Sequence, residues 1–404
     1  MQVDQSSAVE NLASRRQLGN CGALVSSRGQ PLSVLQQLDQ MSRVLPAVAP
    51  EVLEALQRVQ EAVVEAEQTL EKLESLPSAR EPTQARAAVN WDALLEAAKP
   101  LLQALALAAA GILTHSFGRA TQVGGSLVLG LALGLAGYRR GSLAPSGALA
   151  AAAVGWGTLG SSFRAGLTLL TFFFTSSKLT QLGDEQKAVE EEHKAGGQRD
   201  WKQVVCNALV PTILSVLAAR HTGAADVPLG VGASGRLVTG LLGGFLGYHA
   251  CCCGDTWASE LGQLSTEEPR LITTLRPVRK GTNGGVTLVG LGASLAGGLC
   301  MGLTFFLAAV VSPTGPGRAV ALQQWRLVPL GLAAGLVGSI IDSILGATIQ
   351  FTGYNLKTGK ITGKPGPDVA PISGLPVLDN NLVNIVSASC TALLAALAST
   401  RLFV

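Results

Sequence analysis

Apolar residues fall into long, closely spaced runs from about Trp91 onward. The runs cover roughly 93–113, 123–138, 143–160, 163–182, 204–220, 236–253, 285–311, 327–350 and 382–402. Each approaches the ~20 residues that a helix needs to cross a bilayer. The second and third are short, and Pro145 and Gly147 soften the third, so the pattern predicts eight or nine spans. Upstream the rhythm changes. Val52, Leu56, Val59, Val63, Leu70 and Leu73 recur near helical spacing with Glu and Gln between them, which predicts an amphipathic soluble helix. Pro77 and Pro82 end it.

The predicted fold class is therefore all-α: a polytopic integral membrane helical bundle with a soluble N-terminal helical extension. Residues 1–45 are rich in Ser and Arg and poor in acids, the loose composition of an organelle transit peptide. No apolar core of signal length follows Met1, so a secretory signal is not expected. Residues 46–90 form the amphipathic helix and linker, and 91–404 the multi-span domain.

Composition agrees. Of 404 residues 48% are hydrophobic and 14% charged, with 48 glycines, whereas soluble domains are about a quarter charged. Small residues let helices approach closely in lipid. A net charge of +3 and the lack of a basic stripe with aromatics argue against nucleic acid. The seven cysteines show no CxxC pair, and neither a disulfide framework nor a zinc site is expected. Lys and Arg gather in the loops after the second, fourth, sixth and eighth runs (Arg139, Arg140, Lys202, Arg279, Lys357). The positive-inside rule puts these loops on the stromal or cytosolic side.

Candidate chemistry clusters in those same loops. Residues 254–285 read GDTWASELGQLSTEEPRLITTLRPVRKGTNGG. Asp255 and Glu260 stand at the end of an apolar run, a costly place for charge. They could hold Mg²⁺, which takes few protein oxygens plus phosphate oxygens. Arg276, Arg279 and Lys280 follow, then a turn of Gly281, Thr282, Asn283, Gly284 and Gly285, groups suited to phosphate. On an ideal helix Asp255 and Glu260 are about 140° apart. Either the helix unwinds near Gly254 or one carboxylate alone faces a site.

A second constellation is Gly335, Ser339, Asp342 and Gly346, spaced to form one stripe on a helix. A third is Asp379, Asn380 and Asn381 entering the last run, with Asn384 inside it. Helix capping explains the first of these residues equally well. Ser259–Gly262 also echoes Ser343–Gly346, each closely preceded by an Asp, as duplicated membrane folds do.

Five ordered strings carry a resemblance: FFFTSSKLTQLGDEQK (172–187), CGDTWASELG (253–262), TTLRPVRKGTNGGV (273–286), GSIIDSILGA (338–347) and LDNNLVN (378–384). Together they resemble the transmembrane protein 19 family, which includes plant phytyl-phosphate kinase of vitamin E (tocopherol) synthesis, over about residues 101–400. The resemblance implies a prenyl-phosphate kinase of a chloroplast membrane. It would use a nucleoside triphosphate, CTP foremost, and Mg²⁺ to convert phytyl monophosphate to the diphosphate. Asp255 and Asp342 would bind the metal. Asp255, Glu260, Asp342 and Lys280 would be catalytic. Arg276, Arg279, Thr282, Asn283, Gly284, Asp379, Asn380, Asn381 and Lys178 would bind substrate or nucleotide. Expected partners are the lipid phosphate, the nucleotide and membrane lipid. No Walker A pattern occurs, which disfavours a P-loop kinase. The competing readings are a transporter or lipid carrier with an intramembrane carboxylate site, and a structural subunit that recruits partners through its N-terminal helix. Deleting residues 46–80 is expected to leave turnover intact, and its loss would favour the structural subunit.

Overall fold

A computed structural model of the chain describes residues 119–182, 197–231 and 235–404. The first apolar run, the amphipathic helix, the leader and the boundaries at 45 and 90 lie outside the described residues. The remaining runs fold as α1 (Arg119–Arg139), α2 (Pro145–Ser161), α3 (Phe163–Gln181), α4 (Trp201–Thr222), α5 (Gly235–Leu264), α6 (Leu288–Val311), α8 (Leu327–Ile349) and α9 (Asn380–Phe403), with a short α7 (Arg318–Leu322) between α6 and α8. Two small antiparallel sheets occupy the loops. The first pairs β1 (Arg270–Leu271) with β2 (Gly285–Val286). The second is ordered β4–β3–β5, from β3 (Thr352–Asn355), β4 (Lys360–Thr362) and β5 (Val369–Ser373).

Five of the helices, α4, α5, α6, α8 and α9, are long and apolar enough to cross a membrane. That count covers the described residues alone, which leave out the first of the nine expected runs. Helix α2 has only 17 residues. Helices α1 and α3 each carry two basic residues, Arg119 with Arg139 and Arg164 with Lys178. Large apolar side chains stand on outer faces, such as Leu131, Leu307 and Leu393. Water would penalise such a surface, and lipid does not.

Helix α5 is the axis. Of its most apolar stretch 83% is buried, against 28% for α4 and 44% for α6. Phe245, Leu246, Tyr248, Met301, Phe305 and Leu327 fill the core around it, and Cys251, Cys252 and Cys253 are buried there as free thiols. The helix is also longer than its apolar run. It continues unbroken to Leu264, so it does not unwind near Gly254, and Asp255 and Glu260 belong to its interior. From Asp255 to its last residue is about 14 Å at 1.5 Å per residue.

Successive long helices reverse direction. One face therefore collects the C-terminal ends of α1, α3, α5 and α8 and the N-terminal ends of α2, α4, α6 and α9. Loop contacts confirm it: the Ala144 amide donates to the Arg199 carbonyl at 2.9 Å, and Gln350 Nε2 donates to Asn380 Oδ1 at 3.2 Å. At the opposite face Arg164 is fully buried beside Asp226, 3.8 Å apart. The Arg164 Nη2 donates to the Val227 carbonyl at 3.0 Å and Ser312 Oγ to Asp226 Oδ2 at 2.6 Å. A buried charge is tolerated when paired and hydrogen-bonded in this way, and the cluster ties α3, the α4–α5 loop and the end of α6.

Glycines bring α5, α6 and α8 into backbone contact. A Cβ on Gly335 would lie 2.6 Å from Gly298 Cα and from the Ser294 carbonyl oxygen. One on Gly254 would lie 2.8 Å from the Gly335 carbonyl oxygen, and one on Gly297 2.9 Å from Gly254 Cα. Gly335→Val is expected to destabilise the fold by about 1–3 kcal/mol through overpacking. Gly292→Ala, whose Cβ would meet nothing within 4 Å, should be tolerated. Thermal unfolding in detergent compares the two, and equal melting temperatures would show the seam to be slack.

Candidate functional site

Residue by residue, the polar groups of one face close around a cavity of about 410 Å³. Thr180 of α3, Gln203 and Asn207 of α4, Asp255, Thr256, Ser259 and Glu260 of α5, Gly290 of α6, Ser339, Asp342 and Ser343 of α8, and Asn380 and Asn384 of α9 all line it. The α3, α4, α6 and α9 residues come from the helix ends at the face just described, whereas Ser339 stands at the middle of α8 with Asp342 one turn nearer that face, so the cavity runs from that face into the bundle. The loops add Gln198, Arg199, Lys280, Thr282 and Gly284.

The acidic wall is built by the glycine seam. Gly254 meets Gly335, so the next residue of α5 and the next turn of α8 fall side by side. Ser339 Oγ then donates to Asp255 Oδ1 at 3.3 Å. Asp342, one turn further, accepts from Ser387 Oγ at 2.8 Å through Oδ2. With the Asn384 amide turned to satisfy its neighbours, its nitrogen donates to the same Oδ2 at 3.3 Å and to the Asn380 carbonyl at 3.2 Å. Both carboxyl groups line the one cavity. Two acidic side chains fixed by hydroxyl and amide donors, with no lysine or arginine between them, suit a divalent cation that keeps several non-protein ligands. No group of three or more His, Cys, Asp or Glu side chains that could enclose a metal occurs among the described residues.

Glycine turn geometry completes one side. The loop from Arg270 to Val286 is pinched at its base by β1 and β2. Gly284 has φ of +77°, and a Cβ there would lie 2.6 Å from the Ser343 carbonyl oxygen and 2.5 Å from Ala347 Cβ. Only glycine lets this turn press onto α8 beside Asp342. Thr282 is buried at the cavity wall, and its hydroxyl has no hydrogen-bond partner.

Of the residues singled out from sequence, Asp255, Glu260, Asp342, Lys280, Thr282, Gly284 and Asn380 line the cavity. Both Asp255 and Glu260 do so despite their angular separation, because the cavity wraps around the end of α5. Six do not line it. Arg279 stacks over the Tyr354 ring at 4.2 Å, and Arg276 is exposed at the loop tip. Asn283 turns toward β3, its amide nitrogens donating to Thr352 Oγ1 at 3.2 Å and the Phe351 carbonyl at 3.4 Å. Asp379 caps α9, accepting from the Leu382 amide at 2.9 Å. Asn381 is about 100° around the helix from Asn380, and Lys178 about 160° from Thr180, which reaches the cavity in its place.

Sequence reading missed Arg199 and Ser387. Ser387 extends a stripe of Asn380, Asn384, Ser387 and Thr391, spaced like Gly335, Ser339, Asp342 and Gly346, and that periodicity could have found it. Arg199 left no such signal. It precedes a capping box in which Asp200 Oδ1 accepts from the Gln203 amide at 3.1 Å. Burial draws its guanidinium below its ordinary pKa, and the Glu260 charge opposes that.

The profile of the DUF92 integral membrane proteins matches residues 128–392. The chain belongs to that family. It is 50% identical to Protein PGR of Arabidopsis thaliana over 267 residues, 66% of this chain and 92% of that protein. An uncharacterised membrane protein of Methanocaldococcus jannaschii is 30% identical over 187 residues, 46% of this chain and 66% of that protein. One of Synechocystis is 29% identical over 196 residues, 48% of this chain and 66% of that protein. No solved structure matches. The family is the one to which the transmembrane protein 19 resemblance pointed.

Ser387→Ala removes a hydroxyl donor from Asp342 and is expected to cost about 1.5–3 kcal/mol, the range for bonds to charged groups. In an Asp342→Ala background the cost should shrink. A double-mutant cycle on thermal unfolding measures the coupling, and equal costs in both backgrounds would show the bond to be inert.

Proposed function

We propose that this chain is a membrane prenyl-phosphate kinase that converts phytyl monophosphate to phytyl diphosphate at the expense of a nucleoside triphosphate, CTP foremost, for tocopherol synthesis. The observation that carries the reading is the convergence of Asp255 and Asp342 with Arg199, Lys280 and Thr282, the last three on loops at one face, in one cavity. A lipid monophosphate keeps its tail in the bilayer and its head at such a face. A transporter would gather its polar groups near the midplane. The Arabidopsis relative and the family motifs support a chloroplast membrane as the location.

In this reading a terminal oxygen of the lipid phosphate attacks the γ-phosphorus. The bond to the β–γ bridging oxygen breaks, and the nucleoside diphosphate leaves. Such transfer rests on positioning and charge neutralisation. Asp255 and Asp342 would hold Mg²⁺, which when bound neutralises phosphate charge. Ser339, Ser387 and Asn384 keep both carboxylates aimed at the cavity. Lys280 donates to the Gln263 carbonyl at 3.2 Å and to the Ser265 carbonyl, and so anchors the loop that carries Thr282 to the end of α5.

Purified chain is to be incubated with phytyl, geranylgeranyl or farnesyl monophosphate and each nucleoside triphosphate. The expected product is the diphosphate, with strict dependence on Mg²⁺ lost on chelation. Asp255→Asn should abolish turnover and leave the fold intact by thermal unfolding. Diphosphate formed at a near-normal rate by that variant would sink the metal assignment, and none formed from any pair would sink the kinase.

A further inference from the structure

Two cations line the cavity among the described residues, Lys280 and Arg199. Lys280 spends its ammonium on carbonyls at the end of α5. Arg199 is held differently. Its backbone is clamped on both sides: its amide donates to the Ser142 carbonyl at 3.0 Å, and its carbonyl accepts from the Ala144 amide at 2.9 Å. Its Nη1 donates to Ser177 Oγ at 3.2 Å and its Nη2 to Thr180 Oγ1 at 3.5 Å. Two neutral hydroxyls thus fix the plane of a guanidinium that has five N–H donors, without cancelling its charge. Glu260 of α5 lines the same cavity, and its charge favours the ionised guanidinium. Nearby, Thr282 lines the same cavity, and its hydroxyl is buried and unpartnered.

We propose that Arg199, with the Thr282 hydroxyl, is the receptor for a phosphate group in this cavity, and that Glu260 is its resting counter-charge and no metal ligand. This rests on the kinase reading and names the residues that take the phosphate. A planar guanidinium matches phosphate through two parallel hydrogen bonds, which an ammonium cannot do. An arriving phosphate exchanges for Glu260 at Arg199, so the carboxylate competes with the ligand. A metal-binding Glu260 would act in the opposite sense, because its loss would weaken binding of a metal-associated phosphate.

The test is calorimetric titration of the full chain in nanodiscs, with Mg²⁺ in the buffer. Inorganic pyrophosphate represents the nucleotide's phosphates, farnesyl monophosphate the lipid head, and farnesol the tail alone. Arg199→Ala is expected to weaken one or both anions by about tenfold to a hundredfold and to leave farnesol unchanged. Weakening of pyrophosphate alone assigns the receptor to the nucleotide, and of farnesyl monophosphate alone to the lipid. Arg199→Lys should recover part of the loss, and Glu260→Gln should bind severalfold tighter than the unaltered chain. If Arg199→Ala does not fold, the other two variants decide. Unchanged affinity for both anions in the arginine variants, weaker binding in Glu260→Gln, or no anion binding by the unaltered chain would overturn the proposal. Anion binding lost in Arg199→Ala, with no diphosphate made by the unaltered chain, would keep the receptor and remove the kinase. Turnover with unchanged anion affinity would do the reverse.

Discussion

Backbone-to-backbone contact among α5, α6 and α8, with no side chain between them, sets the distance at which Asp255 meets the polar stripe of α8. Gly254, Gly297, Gly298 and Gly335 occupy the contact, and a methyl group on any of them would lie within 3.0 Å of a neighbouring backbone atom. In lipid there is little hydrophobic drive for helices to associate, so close packing of small residues has to supply the contact. The cavity follows from it. Asp255 is the residue after Gly254, and Ser339 is one turn after Gly335, so the bond between them is the seam continued toward the membrane surface.

Charge in the bundle is managed by a similar economy at both faces. Away from the cavity, Arg164 and Asp226 neutralise each other and are further bonded to Val227 and Ser312. That cluster closes one end of the bundle. At the cavity end, the acidic pair is supported by donors that carry no charge, Ser339, Ser387 and Asn384. The first arrangement pairs opposite charges within the bundle, and the second sets two carboxyl groups against an open space. An ion pair is balanced by its own partner, whereas two like charges in one cavity favour a cation.

Extended polar loops then serve as a lid frame of fixed geometry. The Arg270–Val286 loop is pinned by its own two-stranded base, by Lys280 on the end of α5 and by Asn283 on β3. Several residues that read as phosphate ligands are spent on this framing. Arg279 packs on Tyr354 and Asp379 caps α9. Their residue types fitted binding, but the same chemistry that grips a phosphate also grips a ring face or a helix end.

Sequence alone determined the class of the fold, the positions of eight of the long helices and the face on which polar groups gather. These depend on local quantities: the length of an apolar run, the sign of loop charge and the spacing of a stripe. It also marked Asp255 and Asp342 as carboxylates in costly places. What it left open was which side chains share a space. Glu260 joins Asp255 because the cavity wraps around a helix end, and Arg199 joins both because a capping box and two backbone bonds to the α1–α2 loop hold it there. Arg199 is separated from both by more than fifty residues of chain. Only the packing of helices, set by glycines whose effect is to let others approach, could bring them together.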